Sequence, residues 1–429
     1  MIGFKKAPKP SFNIEKESDF ILDFFPSIKN EDWKYTNLKK FIPGSISMQP
    51  FRANNDSLLK KLENSASGGL TEKNVIYFLD GVFQSNISDV PRGLKIGQLV
   101  KSENNVAKLY LNQAGLNFNT KENDSYFGFS NFLEKTKLIE LNAYLTDSPY
   151  LLTFNSSFSS EIPLKIIHGF SNKRAFFNQS RLLFLLEENS NVIVHEEVVN
   201  LGEAGAVFNM VSEFSCLENS SLEFYTTQND LTKSCLINSV FCAQQKNSST
   251  NFNIFSLGGK LMRNNILVDL MGEQSKSNVL GVSLLKGSEH LDNFVTISHL
   301  VENCKSGQLF KSVYDGTSSG SFCGKIFVAK GAQQTEAFQQ NNNLMVSAKS
   351  NVNTKPQLEI FADDVVCSHG CTIGAIDERA LFYLRSRGIA EKEAINLLIT
   401  AFLNESISNV ENNDIKAGLV KLFLKDCHA

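Results

Sequence analysis

RLLFLLEENSNVIVHEEVV (181–199) is two apolar runs of strand length separated by the polar turn Glu188-Asn189-Ser190. The same grammar returns in AVFNMVSEFSCLENSSLEFYTT (206–227), NSVFCAQQKNSSTNFNIFSL (238–257) and QSKSNVLGVSLL (274–285), with turns at Glu218-Asn219-Ser220, Asn247-Ser248-Ser249 and Ser277-Asn278. Short apolar or alternating runs without a helical period mark strands. Turns recurring at roughly thirty residues fall in the range of stacked repeats. Regular returns of Asn and Ser suit a β-solenoid, in which equivalent turns stack coil on coil and Asn side chains form ladders. A sandwich with regular turns is the competing architecture.

The whole chain bounds the problem. Its 429 residues are 42% hydrophobic and 20% charged with nine prolines, the composition of a folded protein of two or three domains or one elongated domain with attachments. A formal net charge of −3 supplies no global field for nucleic acid or an acidic membrane surface. No run approaches eighteen apolar residues, which excludes an ordinary membrane-spanning helix. The N-terminal residues have no apolar core or cleavage site of a secretory signal, so a cytoplasmic location is expected. Eight scattered cysteines contain no CxxC pair and read mainly as small buried apolar residues. GxxxxGK[ST], GxSxG, HExxH and GxGxxG are absent.

Three regions follow in order. Residues 1–147 are a mixed helical region. It carries an amphipathic helix over 14–25, the polar turn-containing segment NEDWKYTNLKKF (30–41) anchored by Trp33, and a hairpin turning at Asp80-Gly81. Helical patterns then occupy 105–115 and 124–147. Residues 148–376 are the repetitive β body. Residues 377–429 are helical: Asp377 caps the first helix, Gly388 closes it, and a second, over 391–405, is apolar on most sides and must bury most sides. A third covers 413–425.

Chemistry is densest where body meets helices, in EIFADDVVCSHGCTIGAIDERALFYLRSRG (359–388). Cys367, His369 and Cys371 alternate, so in a strand they project from one face at intervals of about 7 Å. Such soft ligands could contribute to an iron, zinc or copper site, but three in a line cannot close a tetrahedron without help. A thiolate triad of Cys367, His369 and Asp363 or Asp364 is a second reading. Buried structural thiols beside a hydrogen-bonded His369 are a third. His168, His195, His290, His299 and His428 have no neighbours at ligand spacing and read as structural. QQTEAFQQNNN (333–343) reads as a solenoid turn or ladder.

The blocks GAQQTEAFQQNNNLMVS (331–347) and NTKPQLEIFADDVVCSHGCTIGAIDERALFYLRSRGI (353–389) closely resemble the SufB/SufD family of iron–sulfur cluster assembly proteins, and NEDWKYTNL (30–38) resembles its SufD branch. SufB-like chains carry a cysteine in a QCDS-type motif where this chain has Gln340-Asn341-Asn342-Asn343, and a HEAT-type motif where it has His369-Gly370-Cys371-Thr372. Asn341 cannot act as a thiolate, nor Gly370 as a carboxylate. The resemblance therefore implies the SufD-like partner, a non-catalytic scaffold with a mainly β fold: a right-handed parallel β-helix flanked by an N-terminal mixed region and C-terminal helices. It implies a heterodimer with a SufB-type chain through the β-helix, or a homodimer without that partner, and a SufC-type ABC ATPase on the C-terminal helices, with Leu384, Arg385 and Arg387 in the docking region. No cofactor is expected on this chain alone; iron or a nascent cluster would be shared with the partner. His369 matches the interface histidine that contributes to the metal, and Cys367 the neighbouring thiol. Cys371 replaces the usual alanine, as an added ligand or as filler of the same space. A stand-alone β-solenoid enzyme acting on polysaccharide and a metal-binding redox protein are the rival functions.

Overall fold

The computed structural model describes residues 25–42, 56–65, 73–99, 137–146, 149–158, 161–171, 177–202 and 205–428. The helical pattern at 105–115, residues 124–136 and 147 of the pattern at 124–147, and all but the last residue of 14–25 lie outside them.

Asp80 and Gly81 both take positive φ (50° and 78°), the primed-turn geometry that suits a two-residue loop. They join β1 (Val75–Leu79) to β2 (Val82–Phe83) as the predicted hairpin. β3 (Leu94–Gln98) leaves the hairpin and pairs antiparallel with β4 (Tyr150–Phe154). From β4 onward every described pairing is parallel, and the strands stack into two rows.

The first row is β5 (Leu164–Phe170), β7 (Asn191–Asn200), the leading halves of β9 (Ser221–Gln244) and β10 (Ser249–Leu270), then β11 (Lys276–Leu285), β13 (Lys305–Tyr314), β15 (Thr335–Met345) and β17 (Val365–Ala375). The second is β4, β6 (Phe177–Leu186), β8 (Val207–Cys216), the trailing halves of β9 and β10, then β12 (His290–His299), β14 (Ser319–Val328) and β16 (Asn351–Ile360). This is the predicted parallel β-solenoid rather than a sandwich.

Its turns are built on one device. Asn189, Asn219, Asn247, Gln274, Asn303 and Gln334 all adopt φ between 56° and 61°, the left-handed region that Asn tolerates best among side-chain-bearing residues. The N–H groups of Asn189, Asn219, Asn247 and Asn303 each donate to a carbonyl of the next coil at 2.9–3.1 Å. The fourth turn centres on Gln274, not on Ser277-Asn278, which lie inside β11. Asn ladders form as expected: Asn247 donates to Asn219 at 2.7 Å and Asn278 to Asn251 at 3.0 Å.

Between the rows lies a dry core. Phe184 stacks on Phe214 at 4.4 Å, and Leu186, Val194, Phe224, Phe252, Ile266 and Val295 continue it coil by coil. Gly281 is needed here, because a Cβ would meet the Phe310 ring at 2.2 Å. The predicted C-terminal helices are α4 (Glu378–Ser386), α5 (Glu391–Ile407) and α6 (Asn413–His428); α1 (Leu38–Phe41), α2 (Asp56–Ser65) and α3 (Lys137–Leu145) precede the body. Asp377 caps α4 by accepting from the Arg379 N–H, and Gly388 (φ 86°) closes it. Ile399, Leu403 and Ile407 of α5 and Leu419 and Phe423 of α6 bury against Phe255, Leu280, Val282 and Val313 on the outside of the first row. The solenoid is therefore the second surface that the apolar α5 requires.

Trp33 is buried, as an anchor should be, beneath Arg263, whose guanidinium lies 4.3 Å from its ring. Arg263 pairs with Asp292, which also accepts from Thr36 and Ser321. Thr36 meets His290 at 3.0 Å. A buried carboxylate with these partners clamps the 30–41 segment to the second row. Asp292→Ala strands the Arg263 charge and is expected to cost about 3–5 kcal/mol in denaturant unfolding, whereas Glu359→Ala at an exposed pair with Lys325 costs less than about 1 kcal/mol.

Candidate functional site

Parallel register puts equivalent residues of successive coils on top of one another, so each inward position belongs to a column. One column runs Leu164, Val194, Phe224, Phe252, Val279, Gln308, Gln339, His369. Its neighbours end in Ala337–Cys367 and in Phe310–Asn341–Cys371. The predicted single face for Cys367, His369 and Cys371 is thus the inward face, and β17 is the last strand of its row.

With no further coil above it among the described residues, that inward face opens to solvent. His369 and Cys371 are exposed and Cys367 is half-buried against Ile326, Ala337 and Leu358. Burial raises the Cys367 thiol above its ordinary value, and a hydrogen bond with the Ala337 backbone opposes that rise. Cys371 Sγ lies 2.8 Å from Thr354 Oγ1 and 3.7 Å from Asn341 Oδ1. Beneath His369 the column becomes polar: Gln339 donates to Gln308 at 2.7 Å, and its own buried Oε1 has no described partner. Gly324 faces Gln339 and leaves it room, since a Cβ there would meet Nε2 at 2.1 Å. The sequence marked the three ligand-type residues and read 333–343, which holds Gln339, as a turn or ladder, but not its partner Gln308, some thirty residues away along the chain.

Among the described residues no group of three or more His, Cys, Asp or Glu is placed to hold a metal ion. The three ligands stand in a line along one strand and cannot close around one small ion without help, as the alternation implied. Nor is the thiolate triad assembled. The Asp364 backbone serves the turn, its N–H donating to Gln333 at 2.9 Å, and neither Asp363 nor Asp364 is hydrogen-bonded to His369 or Cys367 among the described interactions. What the end of the solenoid offers is two thiols and an imidazole on an open face.

The remaining described histidines sit in structural roles. His168 bonds Glu196 at 2.9 Å, His195 bonds Thr227 at 2.9 Å, His290 bonds Ser319 at 2.7 Å and His299 bonds Ser306 at 2.8 Å. Burial pushes His195 and His299 down to about 4. On α4, Leu384 is half-buried, while Arg385 pairs with Glu391 at 3.3 Å and Arg387 lies over Tyr383 at 5.3 Å. Phe382 and Tyr383, 73% and 57% exposed, form the apolar part of that surface, which was not singled out in the sequence.

A family model described as SUF system FeS cluster assembly, SufBD core domain, matches residues 169–402. An iron–sulfur cluster assembly SufBD family protein of Synechocystis is 30% identical over 404 residues, 90% of this chain and 84% of that protein. The iron–sulfur cluster assembly protein SufD of Escherichia coli is 27% identical over 425 residues, 96% of this chain and 91% of the relative. SufD of Bacillus subtilis is 27% identical over 296 residues, 68% and 67% respectively.

Two measurements check the geometry. Native alkylation followed by mass spectrometry should modify Cys371 first and Cys367 more slowly, with Cys216, Cys235, Cys242 and Cys304 reacting only after unfolding. In the second, His299 takes up its proton more readily unfolded, at an ordinary value of 6.5, than folded, at about 4. Wild type should therefore lose stability relative to His299→Gln as pH falls from 6.5 towards 4, in urea titrations.

Proposed function

Because this chain belongs to the SufB/SufD family and has its role in iron–sulfur cluster assembly, we propose that it is the SufD-type, non-catalytic scaffold of a three-component complex. It pairs through its last coil with a SufB-type chain and receives a SufC-type ABC ATPase on α4–α6. The observation that carries this reading is the inward face of β17, uncovered among the described residues, where a half-buried thiol and an exposed imidazole end the core.

Iron, or the nascent cluster, is cargo on this reading and not a resident cofactor. His369 offers an imidazole nitrogen and Cys367 a sulfur that must lose its proton as it binds. The thiolate and carboxylate that Asn341 and Gly370 cannot supply come from the partner. Apolar side chains on the last coil favour such a cover: Phe361, Val366 and Ile373 are each more than half exposed. β16 and β17 have no described neighbour on their outer edges, and a second chain can extend either row by strand pairing. Without the SufB-type chain, a second copy of this chain meets the same edge.

Leu384, Arg385 and Arg387 belong to the proposed ATPase surface together with Phe382 and Tyr383. Only Ile376 and Asp377 separate β17 from α4, so a rotation of α4 on nucleotide turnover would be passed directly to the strand that bears His369.

His369→Ala should leave the three chains co-purifying and lower the iron recovered with them several-fold. Iron content equal to wild type would make His369 an ordinary surface residue. Failure of the chain to co-purify with the SufB-type and SufC-type proteins would remove the scaffold reading itself.

A further inference from the structure

A groove of about 630 Å³ lies on the outer face of the first row, beneath the connection between α5 and α6. It crosses β9, β10, β11, β13, β15 and β17 along the solenoid axis, five strand spacings or about 24 Å. Its lining differs from the rest of the surface. Asn251, Asn278, Gln340, Asn342 and Asn409 present amides, Leu280 and Leu309 line it between them, and Phe338 is 47% exposed. The Gln340, Asn342 and Asn409 side-chain amides hydrogen-bond to no described residue. Asn251 and Asn278 satisfy each other only in part, through one bond of 3.0 Å.

Charge is confined to one end. There Tyr225 donates to Glu223 at 2.6 Å and Glu411 approaches the same carboxyl. Burial and the proximity of Glu411 push the Glu223 carboxyl up, against the hydrogen bond from Tyr225. At the other end Ser368 and Thr372 of β17 line it with hydroxyls. No lysine or arginine lines the groove, which disfavours phosphate-bearing and other anionic ligands. Free amides along the walls supply both donors and acceptors, the complement of a main chain that repeats N–H and C=O. One exposed phenylalanine does not make the repeated stacking platform of a single-stranded nucleic-acid site.

We propose that this groove binds an extended polypeptide segment of about seven residues, with main-chain amides paired to the Asn/Gln walls and a lysine or arginine side chain at Glu223 and Glu411. At about 3.3 Å per residue, seven residues fill the length of about 24 Å. The groove exists in the chain alone and its occupancy does not depend on iron at His369, so the site stands or falls separately from the cluster role.

The test uses the full-length chain and a positional-scanning library of heptapeptides blocked at both ends, read by fluorescence polarisation. Wild type should select a basic residue at one fixed position. Gln340→Ala/Asn342→Ala/Asn409→Ala should weaken the selected peptide at least tenfold with its thermal midpoint unchanged, because those amides bond no described residue. Glu411→Gln should weaken binding and remove the preference for a basic residue. Three outcomes would overturn the proposal: no peptide bound above background, equal binding by the triple variant, or binding of cellotetraose in place of peptides.

Discussion

The parallel ladder between coils is the constraint from which the rest of the molecule follows. Each strand borrows its hydrogen-bond partners from the coil before and lends its own to the coil after, so a residue's surroundings are fixed by its register. A side chain that points inward in one coil points inward in all of them. The left-handed turn residues keep that register honest: Asn189, Asn219, Asn247 and Asn303 each spend their N–H on the next coil, and a turn of another length would shift the following strand by one residue and invert its faces.

A ladder of this kind has to end, and how it ends is a functional choice. At the N-terminal end the antiparallel β1–β2 and β3–β4 pairings cover the first strands. At the C-terminal end α5 and α6 could have folded over the final coil, but they lie on the outer face of the first row instead. The columns anticipate this exposure by turning polar before the core runs out, from Phe224, Phe252 and Val279 to Gln308, Gln339 and His369. An apolar column left open would adhere to any apolar surface. A polar one, with a thiol and an imidazole at its mouth, can face water.

The legible part of this design was the part that repeats. Strand, turn and face could be read from 181–199 because apolar alternation and an Asn-containing turn act locally. The Gln274 turn was missed for a physical reason: Gln is a rare occupant of the left-handed region, and Ser277-Asn278 carries the commoner turn chemistry while sitting in a strand. Alternation of Cys367, His369 and Cys371 was plain, but alternation alone does not say which face is inward; that depends on register with Ala337, Gln339 and Asn341. Trp33 read as an anchor, yet its clamp joins residues 254 apart, Thr36 and His290, and no local pattern announces such a contact.

Cys371 shows how far register constrains chemistry. It stands in the column of Phe310 and Asn341, two positions beyond His369 and four beyond Cys367 on the same strand face. Along an extended strand those steps are about 7 and 13 Å, so no single iron can take both thiols with ordinary metal–sulfur bonds. Cys371 can share a site with His369 only if the metal sits to one side of the imidazole, and Cys367 can share it only on the other. Its contacts with Thr354 and Asn341 turn its sulfur towards the mouth of the core, among groups that are poor ligands for soft metals. Cys367 is instead seated beside Ala337 and Leu358, where exclusion of water strengthens any charge brought to it. The two thiols therefore stand as alternatives about the imidazole, and the surroundings favour the Cys367 side.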